Sequence, residues 1–448
     1  MLDVSIPERV ATAHWREKGY ASVLRSALVR DSIGYFASKV VPGFMGLISV
    51  PIFIRLIGLD QYGRFALTVP FLMAAAGASS GWLAQGILRF HPTKGNADGR
   101  EDVFRRAVTG GTVATVLVTS AVLAIILGGM RYRLFTSLVS VAFCLSLVLY
   151  TVMLAKYQAQ LRPRTILWRE IIRSVGGLVI PIAMVAVAGR RDFEFLLLGQ
   201  ALAYTIAMLT WPSRHVGASQ AGDHARPDAT STRRMIRELW KFGWAVGLWL
   251  LLIQGLPVID RWTIQKFAGY SSAGVYASLY EVAVRSFSFL VFPLTQAAHP
   301  RIMRAWNDGR FAESYRIIRL SIMSQLIIFV GVLGGVVIGA QRITKLILGF
   351  DNPAATRMLP VLLMGGFLWQ LALLFHKPLE IMQRTTAMLG ALSAVVALNF
   401  LGCLYAIPRF GFQSASYILC LSACCYIVFT LCLSQFGALR RFSPVPEA

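Results

Sequence analysis

Residues 107–129 read AVTGGTVATVLVTSAVLAIILGG, 23 residues without a charged side chain. The hydrocarbon core of a bilayer is about 30 Å thick and takes roughly 20 apolar residues of helix to cross, so this stretch is long enough. Backbone exposed to lipid must satisfy its own hydrogen bonds, which leaves helix as the conformation. Working outward from it, comparable apolar blocks lie at 33–56, 64–88, 133–155, 166–188, 193–211, 239–264, 272–299, 317–339, 357–376, 385–407 and 412–436. At roughly 22 residues each the blocks take about 264 of the 448 residues. What remains is divided among two termini and eleven connections, which leaves no room for a large catalytic or receptor domain outside the membrane. The expected fold is an all-α integral membrane protein of about 12 transmembrane helices.

Composition agrees. The chain is 56% apolar and 15% charged, against about 25% charged in soluble domains. A net charge of +23 would suggest nucleic acid in a soluble protein, but here the basic residues sit in the connectors. Of the 44 Lys and Arg residues, 30 fall on the side that holds both termini and 12 on the other, with Lys39 and Arg285 left inside spans. This bias predicts cytoplasmic termini and leaves no excess to be explained by nucleic acid. Residues 1–32 carry five basic residues and no apolar core, so they read as a cytoplasmic segment and not as a signal peptide. The stretch 212–238 reads as a cytoplasmic linker between an N-lobe of six spans (33–211) and a C-lobe of six spans (239–436), with a cytoplasmic tail at 437–448. Six spans per half make any repeat parallel, with its axis along the membrane normal. The six cysteines all lie in apolar blocks with no His or acidic partner beside them, so neither a disulfide framework, a metal site nor a cofactor is expected.

Sliding the chain by 211 residues lays the first hairpin on the seventh. Gly58 falls on Gly269, Gly63 on Gly274, Ala66 on Ala277 and Gln85 on Gln296. The glycine matches occupy the same tight outside turn in each half, and the glutamine match falls about one span further on, as a duplication would produce. These are also the residues that carry a family likeness. IFIRLIGLDQYGRFAL (52–67) with QGILRF (85–90) resembles the first hairpin of the Wzx-type polysaccharide (O-antigen) flippases. GYSSAGVYASLYEVA (269–283) with PLTQAAHPRIMRAWNDGR (293–310) resembles their second-half hairpin, and LNFLGCLYAIPRFGFQSASY (398–417) their closing one.

The resemblance implies the multidrug/oligosaccharidyl-lipid/polysaccharide exporter fold, two six-helix lobes in a V around a central cavity. It further implies a bacterial inner-membrane flippase that moves a polyprenyl-diphosphate-linked glycan to the outer leaflet by alternating access, without covalent catalysis. The implied partners are that glycan lipid and the bilayer, with a polysaccharide polymerase and chain-length proteins beside them. A lipid II-type flippase or a drug or cation exporter of the same superfamily is an alternative reading. A membrane glycan polymerase or glycosyltransferase is another, although no aspartate-rich sugar-nucleotide motif is present.

A charge at the bilayer centre costs about 2.5–3.5 kcal/mol on insertion scales, so each one needs a reason. Arg285 lies mid-span, one turn from Glu281, in a row with Ser278, Ser288, Gln296 and His299 that covers about 80° of the helix at 100° per residue. Such a row faces a hydrated cavity; the alternative is a structural pair, Glu281 with Arg285. Glu281 is also the candidate coupling-ion site. Lys39, two turns into the first span, is placed for a diphosphate contact at the cavity mouth or for snorkelling to the interface. Arg89, in line with Gln85 at the end of the second span, is a ligand contact or an orientation anchor. Asp260 and Arg261 read as a cap or gate pair at the outside end of the seventh span.

Overall fold

The computed structural model describes residues 40–92, 100–129, 133–160, 162–210, 229–291, 294, 295, 298, 301, 302, 305, 306, 308–382 and 384–441. The N-terminal segment 1–32, most of the linker, Lys39, Gln296 and His299 lie outside them, as does the side chain of Ser288.

Helix follows from the sequence as expected. In the N-lobe α1 is Val40–Ile57, followed by α2 Leu59–Phe90, α3 Arg100–Gly129, α4 Leu134–Ala159, α5 Pro163–Ala188 and α6 Phe193–Leu209. The next continuous element, Ala229–Leu290, is two helices joined at Gly269, where φ is 81°. They are α7 (229–268) and α8 (270–290). The C-lobe continues with α9 Phe311–Leu348, α10 Pro353–Phe375, the short α11 Lys377–Ile381, α12 Thr385–Phe410 and α13 Ser414–Arg441. Among the described residues ten helical stretches are long and apolar enough to cross a membrane. One of them, 58 residues long, would reach about 87 Å if straight and therefore holds two crossings. The shorter apolar α6 completes twelve.

Large apolar side chains face outward along these helices, Ile125, Val187 and Ile338 among them, the last 90% exposed. A soluble protein does not carry apolar belts on this scale, and lipid is what covers them. The linker ends earlier than the hydropathy suggests: α7 begins at Ala229, so residues 229–238 are helix. Its first turns carry Thr230, Ser231, Thr232, Arg233 and Arg234, polar residues that extend the helix beyond membrane length.

The repeat is visible in the backbone. Gly58 has φ 83° and ψ 165°, and its counterpart Gly269 has φ 81° and ψ 173°, the left-handed region that glycine enters without a Cβ penalty. The two copies meet. A Cβ on Gly63 would strike the Tyr270 carbonyl oxygen, and one on Gly274 would lie 2.5 Å from the Leu59 carbonyl oxygen. Leu59 and Tyr270 are themselves counterparts 211 residues apart, so the contact is symmetric and the pseudo-twofold axis runs between Gly63 and Gly274. The duplicated glycines therefore let α2 and α8 cross backbone to backbone, and this crossing ties the two lobes together at one end.

Candidate functional site

Below that crossing lies a cavity of about 620 Å³, walled by α1, α2, α4, α5 and α6 of the N-lobe and by α7 and α8 of the C-lobe. At the end next to the crossing it is lined by Tyr62, Phe65 and Ala66. Three arginines and two glutamates line it, Arg173, Arg261, Arg285, Glu170 and Glu281, so its charged wall is net positive by one.

The C-lobe wall is an arginine–glutamate–arginine triad. The Arg261 Nη2 donates to Glu281 Oε1 at 2.7 Å, and the Arg285 Nε donates to Glu281 Oε2 at 2.9 Å. Arg261 is buried, its side chain 2% exposed, and its Nη1 donates across the lobe boundary to the Ala66 carbonyl oxygen at 2.6 Å. Arg285 is different: its side chain is 37% exposed, and its two terminal amino groups have no protein acceptor among the described residues. One of them occupies the space that a side chain at Gly46 on α1 would take. Glu281 is thus shared between Arg261 and Arg285, so the triad carries one net positive charge, which Arg285 presents to the cavity.

The N-lobe wall is self-neutralising. On α5 the Arg173 Nη2 donates to Glu170 Oε2 at 2.7 Å, three residues away, and Glu170 Oε1 accepts the Tyr150 hydroxyl at 2.9 Å. The guanidinium lies 5.3 Å from the Tyr204 ring centre and 5.9 Å from that of Tyr150. Beside it Gln200 on α6 donates to the Gly177 carbonyl oxygen at 2.8 Å.

The residues singled out in the sequence divide accordingly. Glu281 and Arg285 are brought together in the cavity. Gln85 and Arg89 stand at the far end of α2 and do not line it; Arg89 is exposed, its guanidinium 5.8 Å from the Phe242 ring centre. Ser278, in the same helical row, is buried with its hydroxyl bonded to the Val275 carbonyl oxygen, because the α2 crossing covers α8 at that level. The reading of Asp260 and Arg261 as an outside cap or gate pair needs correction. Both are buried within the helix bundle, α7 runs on to the turn at Gly269, and the two are not bonded to each other: Asp260 accepts the Tyr276 hydroxyl at 2.8 Å and the Cys403 thiol at 3.4 Å. Arg169, counted among the orientation charges, is also buried; its Nη1 donates to the Ala207 and Met208 carbonyl oxygens and so caps the C-terminal end of α6. The N-lobe pair escapes the sequence reading because Arg173 is counted there among the connector charges and Glu170 is not weighed, although both lie inside the block 166–188. Their three-residue spacing on one helix face was the available signal.

Comparison with known proteins places this geometry. No curated protein matches the sequence at a significant level. A solved structure described as the inward-facing conformation of a multidrug resistance MATE family transporter of the MOP superfamily superposes with a TM-score of 0.67 at 10% identity, over 91% of this chain and 99% of that one. One described as the lipid II flippase MurJ, inward closed conformation, gives 0.66 at 12% identity, over 91% of this chain and 87% of that one. An outward-facing conformation of a MATE family transporter gives 0.54 at 13% identity, over 93% and 97%. These likenesses show a shared fold of two bundled lobes. The family model described as "Polysaccharide biosynthesis protein" matches residues 28–306, which take in both hairpin turns, the N-lobe wall and the Arg261–Glu281–Arg285 triad. A match over more than half of the chain shows the family: this multi-pass membrane chain belongs to the polysaccharide biosynthesis proteins.

Proposed function

We propose that the protein is a flippase that carries a polyprenyl-diphosphate-linked glycan from the cytoplasmic to the outer leaflet of a bacterial inner membrane. The single observation that carries this reading is the Arg285 guanidinium, held from behind by Glu281 and open in front to a cavity between two lobes. A net positive charge inside a membrane protein is costly, and a triad of two arginines on one glutamate leaves such a charge for an anion to bind. A guanidinium fixed through Nε offers its two terminal amino groups to a phosphate in a planar fork. The lipid tail stays in the bilayer while the headgroup enters.

The basic bias of the connectors puts the Gly58 and Gly269 turns outside, so the Gly63–Gly274 crossing closes the outer end and the cavity serves the cytoplasmic side. The higher TM-score to the inward-facing transporter than to the outward-facing one supports the same assignment. Rocking of the lobes around the cavity, which parts the crossing, then moves the headgroup outward without covalent chemistry, a transporter's task and not an enzyme's. Glu281 acts as the fixed counter-ion of two arginines; a proton there would have to displace one of their hydrogen bonds. A net positive wall disfavours organic cations, and lipid II-type lipids share the diphosphate but differ in the sugar.

In cells that depend on this protein for surface glycan, Arg285→Ala should reduce export below about a tenth of wild type, since losing a charge-assisted phosphate contact exceeds about 1.4 kcal/mol. Arg285→Lys should recover part of it by keeping charge without the fork. Normal export by Arg285→Ala at normal protein level would overturn the proposal.

A further inference from the structure

We infer that the α4–α6 wall of the cavity is a subsite for an uncharged sugar, separate from the diphosphate position at Arg285. The inference rests on the flippase reading and adds which class of glycan is accepted next to the diphosphate.

The two walls differ in charge. The triad across the cavity has two arginines for one glutamate, whereas Arg173 and Glu170 cancel. A neutral pair is a poor seat for an anion. It still offers donors and acceptors side by side: the Arg173 side chain is 20% exposed, and Gln200 lines the cavity with an Oε1 that has no donor among the described residues. Hydroxyl and acetamido groups both donate and accept, so a sugar matches this mixture and a phosphate does not.

The wall is also rigid. The Arg173 guanidinium is held by Glu170 through Nε at 3.3 Å and Nη2 at 2.7 Å, and it lies against two tyrosine rings whose hydroxyls bond the same pair. It cannot swing across to follow a diphosphate. Both walls face one cavity whose volume is typical of a site for a single small ligand, so a headgroup held at Arg285 places its first sugar against α4–α6. A uronic acid there would find the Arg173 charge already taken by Glu170 and would lose hydration without gaining a free counter-charge, so it is disfavoured.

The test uses the purified full-length protein and three synthetic short-chain polyprenyl diphosphates: bare, bearing one N-acetylhexosamine or hexose, and bearing one hexuronic acid. Wild type should bind the neutral-sugar lipid at least tenfold tighter than the bare one, and the uronate lipid no tighter than the bare one. Glu170→Gln leaves the Arg173 charge uncompensated and should reverse the order of the two glycolipids. Gln200→Ala, which leaves the ion pair intact, should shrink the neutral-sugar advantage several-fold without reversing it. Arg285→Ala should weaken all three lipids alike. Equal wild-type affinity for bare and neutral-sugar lipids, or unchanged ratios in both N-lobe variants, overturns the sugar subsite. Failure of the bare diphosphate to bind, or indifference of all three lipids to Arg285→Ala, would instead remove the flippase reading beneath it.

Discussion

Glu281 holds two arginines that are unequal in what they need from it. Arg261 is enclosed by protein, and breaking a buried pair by removing one partner costs about 3–5 kcal/mol because a charge is left without compensation. Arg285 faces the cavity, where exposed pairs contribute about 0–1 kcal/mol. Glu281→Ala should therefore lower the thermal stability of the purified protein strongly and Arg285→Ala only slightly, in melts followed under the same detergent. The double variant should stay as unstable as Glu281→Ala, because Arg261 remains orphaned. Recovery of stability in the double variant would show that Arg285 is the partner that matters to the fold. The helical spacing of Glu281 and Arg285 exposes their pairing in the sequence. The third member is hidden there, since Arg261 reaches Glu281 from another helix and hydropathy places it at a membrane surface.

At the level of helices and turns, glycine spacing makes the hairpins legible from sequence: Gly58 and Gly269 coincide after a slide of 211 and share one backbone conformation. That Gly63 touches Gly274 is not legible, because a slide reveals a duplication and not the axis that brings its copies together. Hydropathy likewise finds membrane-length segments and misses polar extensions, which is why the start of α7 reads as linker. The polar row on α8 is right in angle for Glu281 and Arg285, but the crossing seals the same face at Ser278. The crossing is reinforced at its rim, where the Arg64 guanidinium lies 4.2 Å from the Tyr270 ring centre and the Arg55 Nη2 donates to the Leu346 carbonyl oxygen at 2.7 Å. Cysteines placed at Arg64 and Tyr270, after the native cysteines are replaced, should cross-link readily. Adding Gly63→Leu or Gly274→Leu should depress the cross-linking yield, because a side chain there meets backbone and pushes the helices apart. Undiminished cross-linking in both would show that the glycines are not what closes this end.

For the whole molecule, twelve crossings and two lobes follow from apolar length and from the alternation of basic connectors, both set by the bilayer and not by this chain's particular packing. The cavity does not follow from either, since its walls come from seven helices of both halves. Transport in the proposed mechanism depends on this cavity carrying a diphosphate-linked glycan across as the lobes rock and the Gly63–Gly274 crossing parts. The decisive quantity is the rate at which a polyprenyl-diphosphate-linked N-acetylhexosamine appears in the outer leaflet of proteoliposomes holding the purified protein. Wild type should transfer it fast and Arg285→Ala at the background rate. The Arg64→Cys/Tyr270→Cys variant should stop when oxidised and resume when reduced. Equal transfer by wild type and Arg285→Ala, or transfer that continues through the oxidised lock, would contradict the mechanism.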